Sequence, residues 1–258
     1  MNKYLIIPRY DDIEESLELA HKNDMGFEFN DFFSPRILLD EKKLEEKINA
    51  YKEIKLPDYL TSHGDFFDVN VFSEDEQIAE ISVNRIYQSV EIAKDLCAKK
   101  VVFHTNMIPE IESDYYKDNW VFRNENVFRK VCKDFPDVLI LMENMFDFTP
   151  DMLKRLAEKM KDVNNFGVCL DYAHAFLSKI EPAVWVKELA QYIKHVHIND
   201  NMKDYDAHLP VGDGLIDWVE FDRMRDEYFP DASILIEVSS IESQKKSIEY
   251  LIKNNLMN

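Results

Sequence analysis

Eight short apolar or β-branched runs, at residues 4–7, 26–29, 59–62, 101–103, 138–142, 166–170, 193–198 and 234–236, alternate with segments of helical period. Nothing else in the chain restricts its fold as tightly. Val83, Ile86, Val90, Ala93 and Cys97 recur at steps of three and four, which predicts one buried face of a long helix. Ile13, Leu17 and Ala20 repeat the pattern earlier, as do Leu44, Ile48 and Tyr51. Ser73 with Glu76 and Ser239 with Glu242 read as capping boxes, and Thr149-Pro150 sets proline at a first helical position. One strand per about 32 residues is the length of a βα unit. Buried strands in strict alternation with helices predict a parallel sheet covered by helices, and eight units favour closure over an open sheet. The expected fold is therefore α/β, a single (β/α)8 TIM barrel that takes residues 1–258 as one domain.

Composition removes several function classes. With only 5 glycines in 258 residues, no Gly-x-Gly-x-x-Gly fingerprint and no phosphate loop can be assembled; Gly212-Asp213-Gly214 meets Asp217 where a third glycine is needed. A net charge of −19 argues against nucleic acid and anionic membrane as partners. The start, Met1-Asn2-Lys3-Tyr4, lacks the apolar run of a leader, and no stretch approaches the ~18 apolar residues of a membrane span. Cys97, Cys132 and Cys169 are odd in number and without Cys-x-x-Cys spacing, so reduced thiols in a cytoplasmic protein are expected.

In a barrel, chemistry gathers at the C-terminal ends of the strands. Those ends carry Ser62-His63-Gly64, Phe103-His104-Thr105, Met142-Glu143-Asn144, Cys169-Leu170-Asp171 with His174 three residues on, His195-Val196-His197-Ile198-Asn199-Asp200, and Ile236-Glu237-Val238. The helix-poor insertion at 200–218 adds Asp206-Ala207-His208. Six of the seven histidines belong to this set; only His21 is expected on a helix. A single strand-end histidine is ordinarily a hydrogen-bonded structural residue, and Glu143 or Asp171 alone would pass as a helix cap. Converging together, imidazoles and carboxylates have one economical explanation, a divalent metal centre, because carboxylates pressed together without a cation repel and protonate. His195 shares a face with His197 but lies deeper, where it reads as layer packing, and it is left out of the ligand set. Gly64, Gly212 and Gly214 fall beside His63 and His208, where backbone must turn tightly.

The strings Cys-Leu-Asp-Tyr-Ala-His-Ala-Phe (169–176), His-Ile-Asn-Asp (197–200) and Asp-Ala-His-Leu-Pro-Val-Gly-Asp-Gly (206–214), with Glu237, resemble the xylose isomerase-like barrel superfamily. That group includes sugar-phosphate isomerases and epimerases and the endonuclease IV family. The resemblance implies that Glu143, Asp171, His197 and Glu237 hold a divalent ion (Mn, Mg, Co or Zn), with Glu143 and Glu237 as the catalytic acid/base pair and proton transfer through an ene-diolate. It implies substrate-binding roles for His174 and for Lys203, which stands where those enzymes often carry arginine. Lysine departs from that pattern because it offers no fork of donors. The endonuclease IV branch implies up to three zinc ions and the further ligands His63, His104, His174, Asp206 and His208.

Charge favours the first branch. Residues 64–77 carry Asp65, Asp68, Glu74, Asp75 and Glu76 without a basic residue, and 105–119 carry Glu110, Glu112, Asp114 and Asp118 against Lys117. A duplex needs many basic contacts. The expected activity is a metal-dependent isomerase or epimerase of a small sugar, sugar phosphate or related polyhydroxy carbonyl compound. The alternative is a trinuclear zinc phosphodiesterase or phosphatase acting on a phosphate ester. Phe32, Phe33, Phe66, Phe67 and Phe72 flank the mouth as a wall for a sugar face or as an interface in a homo-oligomer, and both readings stay open. Trp120, Trp185 and Trp218 read as packing residues.

Overall fold

The computed structural model describes residues 4–257. Met1, Asn2 and Lys3, with the reading made of the chain's start, lie outside them. The strands are β1 Tyr4–Ile6, β2 Gly26–Phe29, β3 Leu60–His63, β4 Lys100–His104, β5 Leu139–Glu143, β6 Phe166–Asp171, β7 Ile193–Ile198 and β8 Ser233–Ile236. All pair in parallel in sequence order and β8 closes on β1, so the expected eight-stranded (β/α)8 barrel is what forms. Around it lie α1 Ile13–Lys22, α2 Pro35–Leu38, α3 Glu41–Lys52, α4 Glu76–Asp95, α5 Asp114–Asp134, α6 Asp151–Lys159, α7 Tyr172–Leu177, α8 Pro182–Leu189, α9 Trp218–Tyr228 and α10 Ile241–Lys253. Among the described residues no helix is long and apolar enough to cross a membrane.

The main apolar core fills the space between barrel and helices, with Trp120, Trp185 and Trp218 all buried in it. Side chains alternate across a strand, so residues two apart share the barrel interior. Thr61 and His63, Val102 and His104, Leu141 and Glu143, Cys169 and Asp171, His195 and His197, and Leu235 and Glu237 repeat this step. The first of each pair is buried in the lower barrel; the second forms a ring at the mouth. Strand register then sets neighbours: His104 pairs with Glu143, and Asp171 with His197 beyond an irregularity at Val168/Cys169.

Several local expectations need correction. The cap of α4 is Asp75, which accepts from the Gln77 amide at 2.9 Å, while the Ser73 hydroxyl accepts from the Asp75 amide. Likewise Ser240, not Ser239, caps α10 by accepting from the Ser243 amide. Asp and Ser serve equally well as caps, so a nearby serine misplaces the start by a residue or two. Pro150 is the cap of α6 rather than its first residue. Cys97 lies past the end of α4, exposed and at φ +60°, so the apolar period outruns the helix. His174, read as a strand-end residue, sits in the first turn of α7.

Candidate metal centre

All nine residues expected at a multinuclear centre meet in the mouth, in three donor clusters whose nitrogen and oxygen atoms lie within 4.8 Å of one another. One is His63, His104 and Glu143; the second is Glu143, Asp171, His197 and Glu237; the third is His174, Asp206 and His208. Glu143 belongs to two of them. Its Oε1 lies 3.0 Å from His197 Nδ1, and its Oε2 lies 3.3 Å from His104 Nε2 and 3.5 Å from His63 Nε2.

Three of the five imidazoles are oriented by the nitrogen that faces away from the cluster. His63 Nδ1–H donates to the Gly64 carbonyl (2.9 Å), His174 Nδ1–H to the Asn144 carbonyl (3.0 Å), and His208 Nδ1–H to the Glu237 carbonyl (2.8 Å). A carbonyl only accepts, so these contacts fix the proton on Nδ1 and leave Nε2 as the inward atom. That atom meets carboxylate oxygen: Asp206 Oδ2 lies 3.2 Å from His174 Nε2 and 3.0 Å from His208 Nε2. Lone pairs facing lone pairs are tolerable only with a cation between them.

Buried polar atoms without a hydrogen-bond partner report the same imbalance. They include both oxygens of Glu143, Asp171 Oδ2, Asp206 Oδ1 and His197 Nδ1. Protonation alone must otherwise relieve the crowding. Burial pushes Asp171 up to about 8, against the pull of His174 and with Glu237 and Glu143 adding to it. His208 rises to about 10, because its contacts with Asp206 and Glu237 outweigh burial. Burial would raise Glu143, yet the charges of His197 and His104 hold it well below the ordinary carboxylate range. Hard carboxylate oxygens with imidazole nitrogens are a donor set suited to first-row divalent ions, so the residues present fit a metal.

Scaffold interactions place these donors. Asp171 Oδ1 accepts from the His174 amide at 2.6 Å as the cap of α7, which leaves Oδ2 for the cluster. Asn144 ties β5 to β6 by donating to the Asp171 carbonyl and accepting from the Asp171 amide, both at 2.9 Å. Asp200, wholly buried, organises the 200–218 loop: its carboxylate accepts from Gly212 N (2.9 Å), Ile216 N (3.2 Å) and Trp218 Nε1 (2.8 Å). Gly212 stands at φ +94°, and a Cβ on Gly214 would lie 2.2 Å from Asp200 Oδ1. These two glycines allow the loop to fold over Asp200 and present Asp206 and His208.

Of the five phenylalanines expected at the mouth, Phe33, Phe66 and Phe67 form an aromatic wall there; the Phe66 ring centroid lies 4.6 Å from that of His104 and 5.0 Å from that of Phe33. Phe32 and Phe72 are buried in the core instead. Lys203 is exposed, its ammonium 4.7 Å from the Phe176 ring centroid, at the rim rather than among the donors. His195 lies below the clusters, between Ser233 and Glu28. Glu28, wholly buried on β2, escaped the sequence reading. An acidic residue inside the four-residue apolar run 26–29 was its signal.

A barrel built this way belongs to a known family: the family described as "Xylose isomerase-like TIM barrel" matches residues 18–254, and the chain is a member of it. An uncharacterized protein of Methanocaldococcus jannaschii is 32% identical over 205 residues, spanning 74% of this chain and 68% of its own. Among solved structures, a D-tagatose 3-epimerase-like protein superposes with a TM-score of 0.77 at 25% identity, over 98% of this chain and 96% of that one. The TTHB071 protein from Thermus thermophilus, from a crystal soaked with ZnCl2, gives a TM-score of 0.75 at 22% identity, over 98% and 97%.

Proposed function

We propose that the protein is a divalent-metal isomerase or epimerase of a small sugar, sugar phosphate or related polyhydroxy carbonyl compound. The observation that carries this reading is the buried quartet Glu143, Asp171, His197 and Glu237, in which two glutamates approach the same imidazole nitrogen, at 3.0 and 3.6 Å. Its likeness to the epimerase-like structure supports the same class. A divalent ion held by these four residues supplies Lewis acidity, which makes a hydrogen beside a carbonyl removable. Glu143 and Glu237 take that proton and return it. His174, fixed by the Asn144 carbonyl, and Lys203 at the rim orient substrate oxygens. The Phe33–Phe66–Phe67 wall packs against the apolar face of a sugar ring. Glu143→Gln is expected to abolish turnover with the fold intact; activity retained on a competent substrate overturns the assignment.

A second reading, a trinuclear zinc phosphodiesterase or phosphatase, is favoured by one specific observation. Glu143 bridges to His63 and His104, and the His174–Asp206–His208 cluster is complete, neither of which a single-ion isomerase requires. Four carboxylates line the three clusters, so one divalent ion leaves the centre anionic, whereas three leave it cationic and attractive to a phosphate ester. Zinc held there supplies Lewis acidity and an activated water. Three tightly held zinc ions with hydrolysis of a model phosphodiester support this reading; one equivalent, with no hydrolysis, supports the first.

A further inference from the structure

His197 is held differently from its neighbours. His63, His174 and His208 each rest one ring nitrogen on a backbone carbonyl. The outward nitrogen of His197, Nε2, instead lies 3.0 Å from Oε1 of Glu28, off the line of the ring N–H. Both side chains are wholly buried.

The polarity of the groups around Glu28 can be followed from the lower end of the barrel. Lys100 Nζ donates to Ser233 Oγ at 2.7 Å. His195 Nε2 faces a carboxylate oxygen of Glu28, which only accepts, so the ring proton is on Nε2 and Nδ1 accepts the Ser233 hydroxyl hydrogen at 2.6 Å. His195 Nε2–H then donates to Glu28 Oε2 at 3.0 Å, and Thr61 Oγ1 donates to the same oxygen at 2.6 Å. With Oε2 taken by two donors, Oε1 is left for His197. A carboxylate at this position can only accept, so in the neutral ring that binds metal the His197 proton resides on Nε2 and the lone pair is on Nδ1, the atom facing Glu143 and Glu237.

We propose that Glu28 is a positioning residue that selects Nδ1 of His197 as the metal-binding atom, with the line Lys100–Ser233–His195 and Thr61 holding the Glu28 carboxylate in place. This rests on the metal reading given above. Glu28 is wholly buried, with its carboxylate against Thr61, His195 and His197. It acts through His197, holding the ring's orientation and adding negative charge behind the ligand, as outer carboxylates do at other histidine–metal sites.

The first test uses the unaltered full-length protein. Histidine is labelled with 15N, zinc is added, and two-bond 1H–15N correlations are recorded, the His197 signals being assigned by their loss in His197→Gln. The expected result is an Nε2 proton and an Nδ1 shifted by zinc. Zinc uptake with the opposite tautomer overturns the role of Glu28 alone; failure to take up zinc overturns the metal reading and this inference with it. The second test is Glu28→Gln, which keeps the shape of the side chain but removes the second acceptor. Metal affinity, read by chelator competition, is expected to fall by about 10–100-fold, with an altered visible spectrum of the cobalt-loaded protein. Glu28→Asp is expected to restore part of both. A folded Glu28→Gln protein with affinity within about twofold of the parent and an unchanged cobalt spectrum overturns the proposal. Should that variant not fold, the tautomer measured in the unaltered protein decides.

Discussion

Oε1 of Glu143 lies 3.0 Å from Nδ1 of His197, and neither atom has a hydrogen-bond partner. The other oxygen of Glu143 faces His63 and His104. One side chain therefore joins two donor clusters, and its loss should damage both. Glu143→Gln is expected to weaken divalent-metal binding by more than the ~10–100-fold typical of an outer partner. Glu237→Gln alters a carboxylate that faces the quartet and His208 but not the first cluster, so it should leave the His63–His104 side less affected. Chelator competition with each variant reads the difference.

Metal uptake should release protons. His197 and His174 stand well above the ordinary imidazole value: burial opposes their charge, but Glu143 and Glu28 outweigh it for His197, and Asp206 and Glu143 for His174. Asp171, raised by burial, holds a proton up to about 8. A ligating nitrogen or oxygen must give up its proton. At pH 7 more than one proton is expected to leave per metal bound, and affinity should climb from pH 6 to pH 9. Calorimetry in two buffers of different ionisation enthalpy counts the protons.

The metal-free protein should lose stability as pH rises above neutrality. An imidazole with a raised folded pKa favours folding below its unfolded value of about 6.5, and that contribution fades as pH passes the folded value, about 10 for His208. Asp171 acts in the same direction, since at pH 7 the folded chain keeps a proton that the unfolded chain has lost. Glu28 and Glu143, with their depressed values, contribute fully above about pH 4.5 and are flat across this window. Thermal melts of chelator-treated protein are expected to fall from pH 6.5 to pH 10, and divalent metal should restore the midpoint most at the high end.

Asp200→Ala removes the acceptor on which the 200–218 loop is folded. It leaves the buried donors Ile216 N and Trp218 Nε1 and the half-buried Gly212 N unpaired. At ~1–3 kcal/mol per unsatisfied buried group, with water repairing some of the loss, a destabilisation of about 3 kcal/mol is expected in urea unfolding. Gly214→Ala should act similarly, since its Cβ would meet Asp200 Oδ1 at 2.2 Å. In both variants metal bound at His174, Asp206 and His208 is expected to be lost before metal at the quartet.

Much of this arrangement was legible in the residues. Short apolar runs and helical patterns report burial directly, so all eight strands were located and β2 and β7 were bounded as they form. Six of the nine mouth residues, His63, His104, Glu143, Asp171, His197 and Glu237, were legible because each ends or follows an apolar run and parallel strands bring such positions to one level, whereas His174 on α7 and Asp206 and His208 in the 200–218 loop were expected as ligands only from the resemblance. Helix caps were less so: Asp75 and Ser240 lie one or two residues from serines with the same capacity. Glu28 was missed because its partners Thr61, His195 and His197 are 33 to 169 positions away, and local pattern says nothing of such pairings. Phe32 and Phe72 were placed at the mouth because proximity in sequence to a strand end does not fix which way a ring turns.

In the proposed reaction Glu143 and Glu237 move a proton at a carbon beside a carbonyl, at a metal held by their own quartet. The most direct measurement incubates the manganese-, cobalt- or zinc-loaded protein with a panel of ketoses, ketose phosphates and related polyhydroxy ketones in D2O, followed by proton NMR. One C–H next to the carbonyl of at least one compound is expected to exchange for deuterium, and Glu143→Gln is expected not to catalyse this. No exchange with any compound, together with zinc-dependent hydrolysis of a phosphate ester by the same preparation, would contradict the proposed reaction.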